Sequence, residues 1–380
     1  MLDVATQNVV QLGFAFFTNF LAFNTQGFIE EAVIDSASRD GSLNSHAGYY
    51  SLAIIYAFYT MGNLAAAQLV DLLSAKWAMC LGALCYGVFQ AGFLFLNETF
   101  LYISSAILGF GASIIWTGQG SYLSQNCTKE TTSRNSALLW GMHESCLLVG
   151  GILIFIVFSM TDSHEVIPLF TIKLLYSIFT VASILSAFIF SMLREPAFRS
   201  EKPKDYKKLT TSTFHLFSTK RMLVLAVVFG YTGIEQSFWT GIYPTCVSFT
   251  RQLGYNTNAL LALNLICTGI GQCGAKNLVF SVLIALSIGV LLGFADACWN
   301  TQIMSFLCDT YPEQSAQAFA IFKFYESALS CATFIISSWL SLHLLILILC
   351  VTAILAAICF FAVERRLSER ERCNKVTENE

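Results

Sequence analysis

A short set of aromatic and polar residues occurs twice in this sequence at nearly the same spacing. The set comprises Trp116, Gln119 and Glu144 in the first half, and Trp299, Gln302 and Glu326 in the second. The two Trp-x-x-Gln motifs are 183 residues apart, the two Glu-Ser dipeptides are 182 apart, and neither pattern occurs elsewhere. The chain is therefore predicted to hold two copies of one unit. Because each copy places polar groups inside an apolar segment, these residues are candidates for binding a solute, a proton or a cation.

Five ionisable side chains lie inside these apolar segments: Glu144, Glu235, Asp296, Lys323 and Glu326. A charge at mid-membrane depth is costly unless it is paired, neutralised or facing water, so each is a candidate for transport chemistry. Lys323 and Glu326 stand three residues apart on one helix face, where they can neutralise each other. His143 directly precedes Glu144 but is expected to point about 100° away from it.

Aromatic and polar residues also recur at helical spacing. Asp296, Trp299 and Gln302 follow one another at three-residue steps and share one helix face. Trp116 and Gln119 form the counterpart in the first copy. A structural interpretation stays open for every candidate, because glutamates can fix helix packing, a lysine–glutamate pair can be structural, and tryptophans can pack at interfaces.

The two copies also align near their first helices. Gln26-Gly27-Phe28 matches Gln236-Ser237-Phe238 at an offset of 210 residues. Gln26, Gln236 and the adjacent Glu235 are therefore predicted to face one central cavity from the two copies. Glu235 is the sharpest candidate, because the first and seventh spans line the cavity in two-copy transporters.

The composition predicts a membrane protein. Hydrophobic residues form 56% of the chain, charged residues 12%, and the mean hydropathy is +0.64, whereas soluble domains are about 25% charged. Too little polar surface remains to cover a soluble helical core, so the chain is predicted to be an all-α polytopic protein in contact with the lipid bilayer. Since a span needs about 20 apolar residues, eleven spans are predicted, at 11–31, 48–70, 77–96, 100–124, 135–159, 167–193, 222–246, 256–274, 278–306, 315–339 and 341–363.

Basic residues between the spans predict the topology. Eight Lys and Arg residues lie in 194–221 and five in the tail, a distribution typical of cytoplasmic segments rather than of nucleic-acid binding. The predicted parts are an N-terminal six-helix bundle (1–193), a basic cytoplasmic linker (194–221), a shortened C-terminal bundle (222–363) and a charged tail of cytoplasmic type (364–380).

The offset between the copies shrinks along the chain. It is 206 between Gly48-Tyr49 and Gly254-Tyr255 but 183 between the tryptophan motifs, a difference of 23 residues. At about 1.5 Å per residue this is one transmembrane helix and a turn. The counterpart of span 77–96, the ninth span of a six-plus-six parent, is therefore predicted to be missing, which leaves six plus five helices. Such a gap would carry the basic tail outside, against the positive-inside preference, so its side stays open.

The remaining motifs are few. Asn97 begins a glycosylation acceptor in a loop predicted to lie outside, whereas Asn126 begins one on the predicted cytoplasmic side and is not expected to be used. The 13 cysteines are scattered without a Cys-x-x-Cys pair and are interpreted as small buried hydrophobes. No metal-ligand cluster, phosphate loop or nucleophile motif is present in the sequence, so no metal, cofactor or enzymatic activity is predicted.

Three segments resemble the uncoordinated-93-like family of the major facilitator superfamily: 51–64 (SLAIIYAFYTMGNL), 107–123 (ILGFGASIIWTGQGSYL) and 134–152 (RNSALLWGMHESCLLVGGI). The resemblance covers most of the first half and, more weakly, 222–363, and it is strongest to the branch called major facilitator domain-containing protein eleven. It implies two six-helix bundles related by an axis along the membrane normal, with alternating access between them. The superfamily's signature after the second span is reduced here to Asp71 and Lys76.

The resemblance implies two kinds of activity. Some members look like orphan solute carriers, which suggests a transporter for a small solute or ion, with Glu144, Glu235 or Glu326 handling a proton or cation. The founding member is implicated as a regulatory subunit of a muscle two-pore-domain potassium channel, and a relative escorts receptors to endosomes. The second hypothesis is therefore a non-transporting accessory protein for a channel or receptor. The sequence does not distinguish the plasma membrane from an endolysosomal membrane.

Overall fold

A computed structural model describes the chain in nine stretches: 3–38, 47–95, 97–160, 167–198, 206–244, 262–263, 265–268, 282–337 and 339–377. Within these stretches the regular secondary structure is helical and contains no strand. The predicted all-α class is confirmed.

Six helices form the first bundle: α1 (Val4–Ser38), α2 (Ala47–Leu73), α3 (Ala75–Gly92), α4 (Glu98–Ser124), α5 (Thr132–Met160) and α6 (Leu169–Ser191). They are rich in apolar residues, and a helix satisfies its own backbone groups where lipid offers no hydrogen-bond partner. The start of α4 is fixed by an N-cap, in which the Asn97 side chain accepts a hydrogen bond from the Phe100 amide at 3.0 Å.

The second half contributes α7 (Tyr206–Phe217), α8 (Lys220–Ser237), α9 (Val282–Thr310), α10 (Ser315–Ser337) and α11 (Leu342–Thr377). α8 continues into a π-helical turn, Phe238–Ile242, and a 3-10 turn, Pro312–Gln314, leads into α10. π-Helical turns are rare and frequently occur at functional sites.

Seven helical segments within the described stretches are long and apolar enough to cross a membrane: Tyr50–Leu73, Glu98–Ser124, Thr132–Met160, Leu169–Ser191, Lys220–Ile242, Pro312–Ser337 and Leu342–Leu367. The last segment, Leu342–Leu367, is the most apolar of the seven. Only 17% of its most apolar stretch is buried by other parts of the chain. Such exposed apolar surface requires lipid around it. The chain is an integral, multi-pass membrane protein.

Helix packing repeats between the two halves. α1 packs against α5 and α6, and α8 packs in the same way against α10 and α11. The two bundles meet where α2 and α4 contact α10 and where α5 contacts α9. Both halves therefore build the same kind of helix layer, and the two layers face each other as the predicted two-bundle fold requires.

Small residues let the two bundles approach closely. Ala66 and Ala67 of α2 are buried together with Ala320 of α10. A polar contact reinforces this interface, since the Thr60 hydroxyl donates a hydrogen bond to Ser327 Oγ at 3.0 Å. Small residues and interhelical hydrogen bonds are the usual means of helix association in lipid, where no hydrophobic force drives it.

Two helices are longer than their predicted spans. α1 begins well before the predicted 11–31, because the polar Asn8 in its first turns is buried and donates a hydrogen bond to Asn126 Oδ1 at 2.8 Å. α11 runs on from its predicted end at residue 363 through Thr377, so most of the charged tail is helical. These helices extend beyond the predicted spans for different reasons: Asn126 satisfies Asn8 in α1, whereas in α11 the charged tail continues the helix, with Arg365 Nε bonded to Glu369 one turn on at 2.9 Å.

The linker predicted at 194–221 is not wholly irregular. It contains α7, which packs against α2, α8 and α10, and the first two residues of α8. The Phe217 ring stacks on Tyr325 at a centroid distance of 5.1 Å. The lysine-rich composition concealed this helix, which lies across the interface between the bundles. The domain boundaries themselves stay predictions.

The predicted span at 256–274 lies largely outside the described residues. Residues 262–263 and 265–268 are helical, and a side chain added at Gly151 of α5 would collide with Ile266. This places the described part of that segment against the first bundle. The predicted six-plus-five count stays a prediction.

One face of α9 differs from the matching face of α4. The positions on α4 are Leu108, Gly111, Ile115 and Gln119, all buried. Their counterparts at offset 183 are Leu291, Phe294, Cys298 and Gln302, all exposed. α3 covers the α4 face, and in the described part of the second half no helix takes the corresponding place on α9.

Candidate functional site between the two bundles

A cavity lies between the two bundles and is lined by both copies. The volume within it that the centre of a water molecule can occupy is about 70 Å³. Nine of its lining residues are aromatic, and the others include charged groups from α5, α9 and α10. The structure brings six of the sequence-predicted candidates to this cavity: Trp116, Glu144, Gln236, Asp296, Lys323 and Glu326.

Lys323 lines the cavity and connects the two bundles. Its ammonium donates hydrogen bonds to both carboxylate oxygens of Glu326 at 2.8 Å, as the three-residue spacing predicts. The same ammonium lies 4.3 Å from the ring centroid of Trp116 on α4, a cation–π distance. Lys323 and Glu326 are 2% and 4% exposed, so the pair is held away from bulk water. The ammonium of Lys323, from the second copy, therefore contacts the ring of Trp116, which belongs to the repeated motif of the first copy.

His143 and Glu144 form a second polar pair on α5. His143 Nδ1 lies 2.9 Å from Glu144 Oε1, although the angle is not that of a hydrogen bond, so this is an ion pair only when the imidazole is protonated. The expectation that His143 points away from Glu144 was wrong, because the two side chains bend toward each other from adjacent positions. The imidazole is enclosed by the rings of Phe20, Trp140 and Trp116, at centroid distances of 4.6, 5.1 and 5.4 Å.

Asp296 brings a third carboxylate to the cavity from α9. The Asn300 amide donates to Asp296 Oδ1 at 3.1 Å, which orients the carboxylate one turn away. Glu235, the sharpest candidate from the sequence, is 1% exposed but is not a lining residue. Its carboxylate lies near the Tyr231 hydroxyl and the Asp296 carboxylate. Its neighbour Gln236 lines the cavity instead, since consecutive helix positions project about 100° apart.

The other predicted candidates lie away from the cavity. Gln26 is buried and donates to Glu30 Oε2 at 2.7 Å along α1. Gln119 is fully buried in α4, and its repeat partner Gln302 is exposed on α9. Trp299 packs against Tyr231 at 5.4 Å instead of facing the opposite bundle. Of the two Trp-x-x-Gln motifs, only Trp116 lines the cavity. Gln119, Trp299 and Gln302 do not.

A close approach of α8 to α10 positions Glu326. Gly233 of α8 lies against the backbone carbonyl of Glu326, where an added Cβ would collide with backbone atoms. The Gly233 carbonyl accepts hydrogen bonds from Ser237 and Ser330 at 2.9 and 2.8 Å. These contacts fix the position of the helical turn of α10 that carries Glu326 relative to α8.

Several lining residues were missed from the sequence. Tyr56 and Tyr59 of α2 and Tyr86 of α3 line the cavity, and Asn300 orients Asp296. Asn300 could have been found, because it continues the stripe from Asp296 by one helical turn. The tyrosines carry no comparable signal, because α2 and α3 hold many aromatic residues and the bundle arrangement decides which of them face inward.

The reduced loop signature lies in the α2–α3 turn. Lys76 places its ammonium 5.4 Å from the Trp77 ring, and Asp71 is half-buried. Ser74 adopts φ 69° and ψ 153°, a conformation that glycine favours and other residues rarely adopt. The turn thus keeps a glycine-like backbone shape although the superfamily's glycines are absent.

The acceptor asparagines and the cysteines differ in exposure. Asn97 is exposed, so its glycosylation stays a prediction, whereas Asn126 is buried and hydrogen bonded.

Burial raises the pKa of the Cys127 thiol, which follows Asn126, to about 11, which leaves the thiol protonated at neutral pH. Cys298 on α9 and Cys350 on α11 are exposed, contrary to their interpretation as buried hydrophobes. Within the described residues, no group of three or more His, Cys, Asp or Glu side chains could hold a metal ion.

A sequence profile of the family described as "Ion channel regulatory protein UNC-93" matches residues 39–283 and 274–361. Together the two matches cover most of the chain. The chain belongs to the UNC-93 family. The two matches overlap at 274–283, which lies between Tyr255 and Trp299, where the change in offset between the copies predicts a missing span. The UNC-93 assignment confirms the resemblance found in the sequence.

Curated relatives match nearly the whole of this chain. The UNC93-like protein MFSD11 of Xenopus tropicalis is 27% identical over 445 residues, covering 97% of this UNC-93 chain and 98% of the relative. Protein unc-93 homolog A of Danio rerio is 24% identical over 434 residues, covering 94% and 91% of the two chains.

Solved structures show the same fold. The major facilitator superfamily transporter FucP in its outward conformation superimposes with a TM-score of 0.64 at 14% identity, covering 96% of this chain and 98% of that one. The human organic anion transporter MFSD10 gives a TM-score of 0.60 at 13% identity, with coverages of 95% and 100%. At these identities the likeness establishes the fold alone. This UNC-93 protein therefore has the major facilitator fold.

Proposed function

We propose that this protein is a transporter that binds a small solute or ion in the cavity between its bundles and moves it by alternating access. The observation that carries the proposal is the central cavity, which both copies line and which contains three buried carboxylates. Burying charge inside a membrane protein is costly and marks solute or proton pathways. In the major facilitator fold, substrate sites lie at this place between the repeats.

Two of the candidate glutamates are suited to handle a proton or cation. Glu144 is 2% exposed, lines the cavity, and contacts a histidine that is charged only when protonated. Glu326 is held by Lys323, so any event that draws the ammonium away leaves a carboxylate needing a proton or a substrate cation. Glu235 does not line the cavity but lies near the lining carboxylate of Asp296, through which it would act.

The proposal is tested by reconstituting the protein in liposomes and screening labelled solutes under an imposed pH gradient. We expect uptake of at least one solute, reduced at least about tenfold by Glu144→Gln, since that carboxylate faces the cavity. Glu235→Gln is expected to have a smaller effect, because Glu235 does not line the cavity.

The matched control is Glu364→Gln, which removes an exposed carboxylate on α11. This variant should transport like the unaltered protein. Uptake that is absent for every solute contradicts transport, and uptake that survives Glu144→Gln unchanged contradicts the role of that glutamate.

A second candidate function is favoured by the exposed face of α9, which carries Leu291, Phe294, Cys298 and Gln302. We propose that, in an accessory role, this face contacts a transmembrane helix of an ion channel. The matching α4 face is covered by a helix, and the family description names ion channel regulation. Gln302 could also donate an interhelical hydrogen bond in lipid.

The accessory role is tested with a photo-reactive residue in place of Phe294, in cells that co-express a tagged two-pore-domain potassium channel. A channel adduct from position 294 but not from the equally lipid-exposed Leu347 of α11 supports the role. Lipid adducts alone at both positions contradict it.

A further inference from the structure

We propose that the cavity selects organic cations, and that Lys323 occupies the cation site in the state described here. This inference rests on the proposed function, because it names the chemical class of the transported solute. It follows from three features of the cavity: its charge balance, its aromatic surface, and the position of the Lys323 ammonium.

The charge balance of the described lining residues is acidic. Glu144, Asp296 and Glu326 contribute three carboxylates, whereas Lys323 is the one lysine or arginine among the described lining residues. Because Lys323 is hydrogen bonded to both oxygens of Glu326, that pair is neutral overall. Glu144, whose neighbour His143 is charged only when protonated, then favours a positive ligand. An anion would have to approach this carboxylate.

One buried acceptor in the cavity has no partner of its own. Among the described residues, Glu144 Oε2 makes no hydrogen bond, and this side chain is 2% exposed. A buried carboxylate oxygen without a donor is destabilising until a ligand supplies one. The Gln236 carbonyl oxygen, which faces the same cavity from α8, is likewise unpartnered within the described stretches.

The aromatic surface matches a cationic head with an apolar body. Trp116 already holds an ammonium at 4.3 Å, which shows that its face accepts a cation at van der Waals distance. Cation–π attraction is strongest on tryptophan and grows when the cation is removed from water. The indole N–H groups of Trp140 and Trp239 line the cavity without a partner in the described residues, so the ligand's body would carry a hydroxyl or carbonyl acceptor.

The geometry therefore describes an exchange. An incoming ammonium takes the Trp116 face and approaches Glu144, while Lys323 leaves that face and keeps its hydrogen bonds to Glu326. Since the displaced Lys323 belongs to the second bundle and Trp116 to the first, ligand binding replaces one contact between the bundles. This couples occupancy of the site to the separation of the bundles that alternating access requires.

The test is equilibrium dialysis of labelled 2-phenylethylamine, which is a primary ammonium ion at neutral pH, against the purified full chain, with phenylacetate and 2-phenylethanol as anionic and neutral probes. We expect only the cation to bind. Trp116→Leu should weaken its binding about tenfold, and Trp116→Phe, which keeps a smaller aromatic face, should fall between. Trp339→Leu, which removes an exposed tryptophan, should bind like the unaltered protein.

Lys323→Gln combined with Glu326→Gln gives the sharpest prediction. The double change removes the resident ammonium without altering net charge, so protonated 2-phenylethylamine should bind several-fold more tightly. Preferred binding of phenylacetate that the double change abolishes would overturn the inference, as would the absence of binding by the cation.

Liposome uptake separates this inference from the proposed function. Binding of the cation without any uptake supports the cation site and contradicts transport. Uptake of the neutral or anionic probe without cation binding supports transport and overturns the cation site.

Discussion

Gly233→Ala is expected to destabilise the protein strongly and to lower its melting temperature in detergent by several degrees. The added methyl group meets the backbone carbonyl of Glu326, so α8 and α10 must separate. Overpacking of this kind costs about 1–3 kcal/mol, and a collision with backbone atoms belongs at the upper end. Because the collision involves the Glu326 turn, we also expect weaker ligand binding in the cavity.

Gly141→Ala is the matched control for this prediction. It lies within α5, and nothing is found within 4 Å of the Cβ that alanine would add. Since alanine is favoured over glycine in a helix by about 1 kcal/mol, Gly141→Ala should melt at the same temperature or slightly higher. Equal melting temperatures for both variants would show that α8 and α10 do not approach each other as described.

Lys323→Gln is expected to be among the most destabilising polar substitutions in the chain. It leaves the Glu326 carboxylate, only 4% exposed, without its partner. Removing one member of a buried ion pair costs about 3–5 kcal/mol, whereas replacing both by neutral groups is often harmless. Lys323→Gln with Glu326→Gln should therefore recover most of the stability that Lys323→Gln loses, as measured by thermal unfolding in detergent.

The exposed pair on α11 supplies the control. Arg365 Nε lies 2.9 Å from Glu369, but these side chains are 83% and 59% exposed. Exposed pairs contribute about 0–1 kcal/mol, so Arg365→Gln should leave the melting temperature nearly unchanged. If Lys323→Gln alone were as stable as the double variant, Lys323 and Glu326 would not form a buried pair.

Sequence spacing predicted the features that depend on local geometry. The three-residue spacing of Lys323 and Glu326 fixed their pairing, and the repeated tryptophan motif indicated two copies of one unit. Composition alone was sufficient for an all-α membrane protein. These inferences succeed because helical periodicity and the cost of polar groups in lipid act within a single segment.

Features that depend on packing between helices were not predictable in the same way. Glu235 and Gln236 are adjacent, and the rotation of α8 against its neighbours decides that Gln236 lines the cavity. His143 turns toward Glu144 although the backbone directs them apart. Tyr56 and Tyr59 reach the site only because α2 packs against α10 of the other bundle.

The central claim is that the two halves of the chain face each other across α2 and α10 and enclose one cavity. Cysteine cross-linking of Thr60→Cys with Ser327→Cys tests it most directly, because the two hydroxyl oxygens lie 3.0 Å apart across this interface. Cys331→Ala in the background removes the nearest native thiol on α10, and a protease site placed between residues 199 and 205 separates the halves. We predict that, after mild oxidation and cleavage, the two fragments migrate together until reductant is added, whereas either single cysteine leaves them apart. Fragments of the double variant that separate without reductant would contradict the arrangement of the bundles and, with it, the shared cavity.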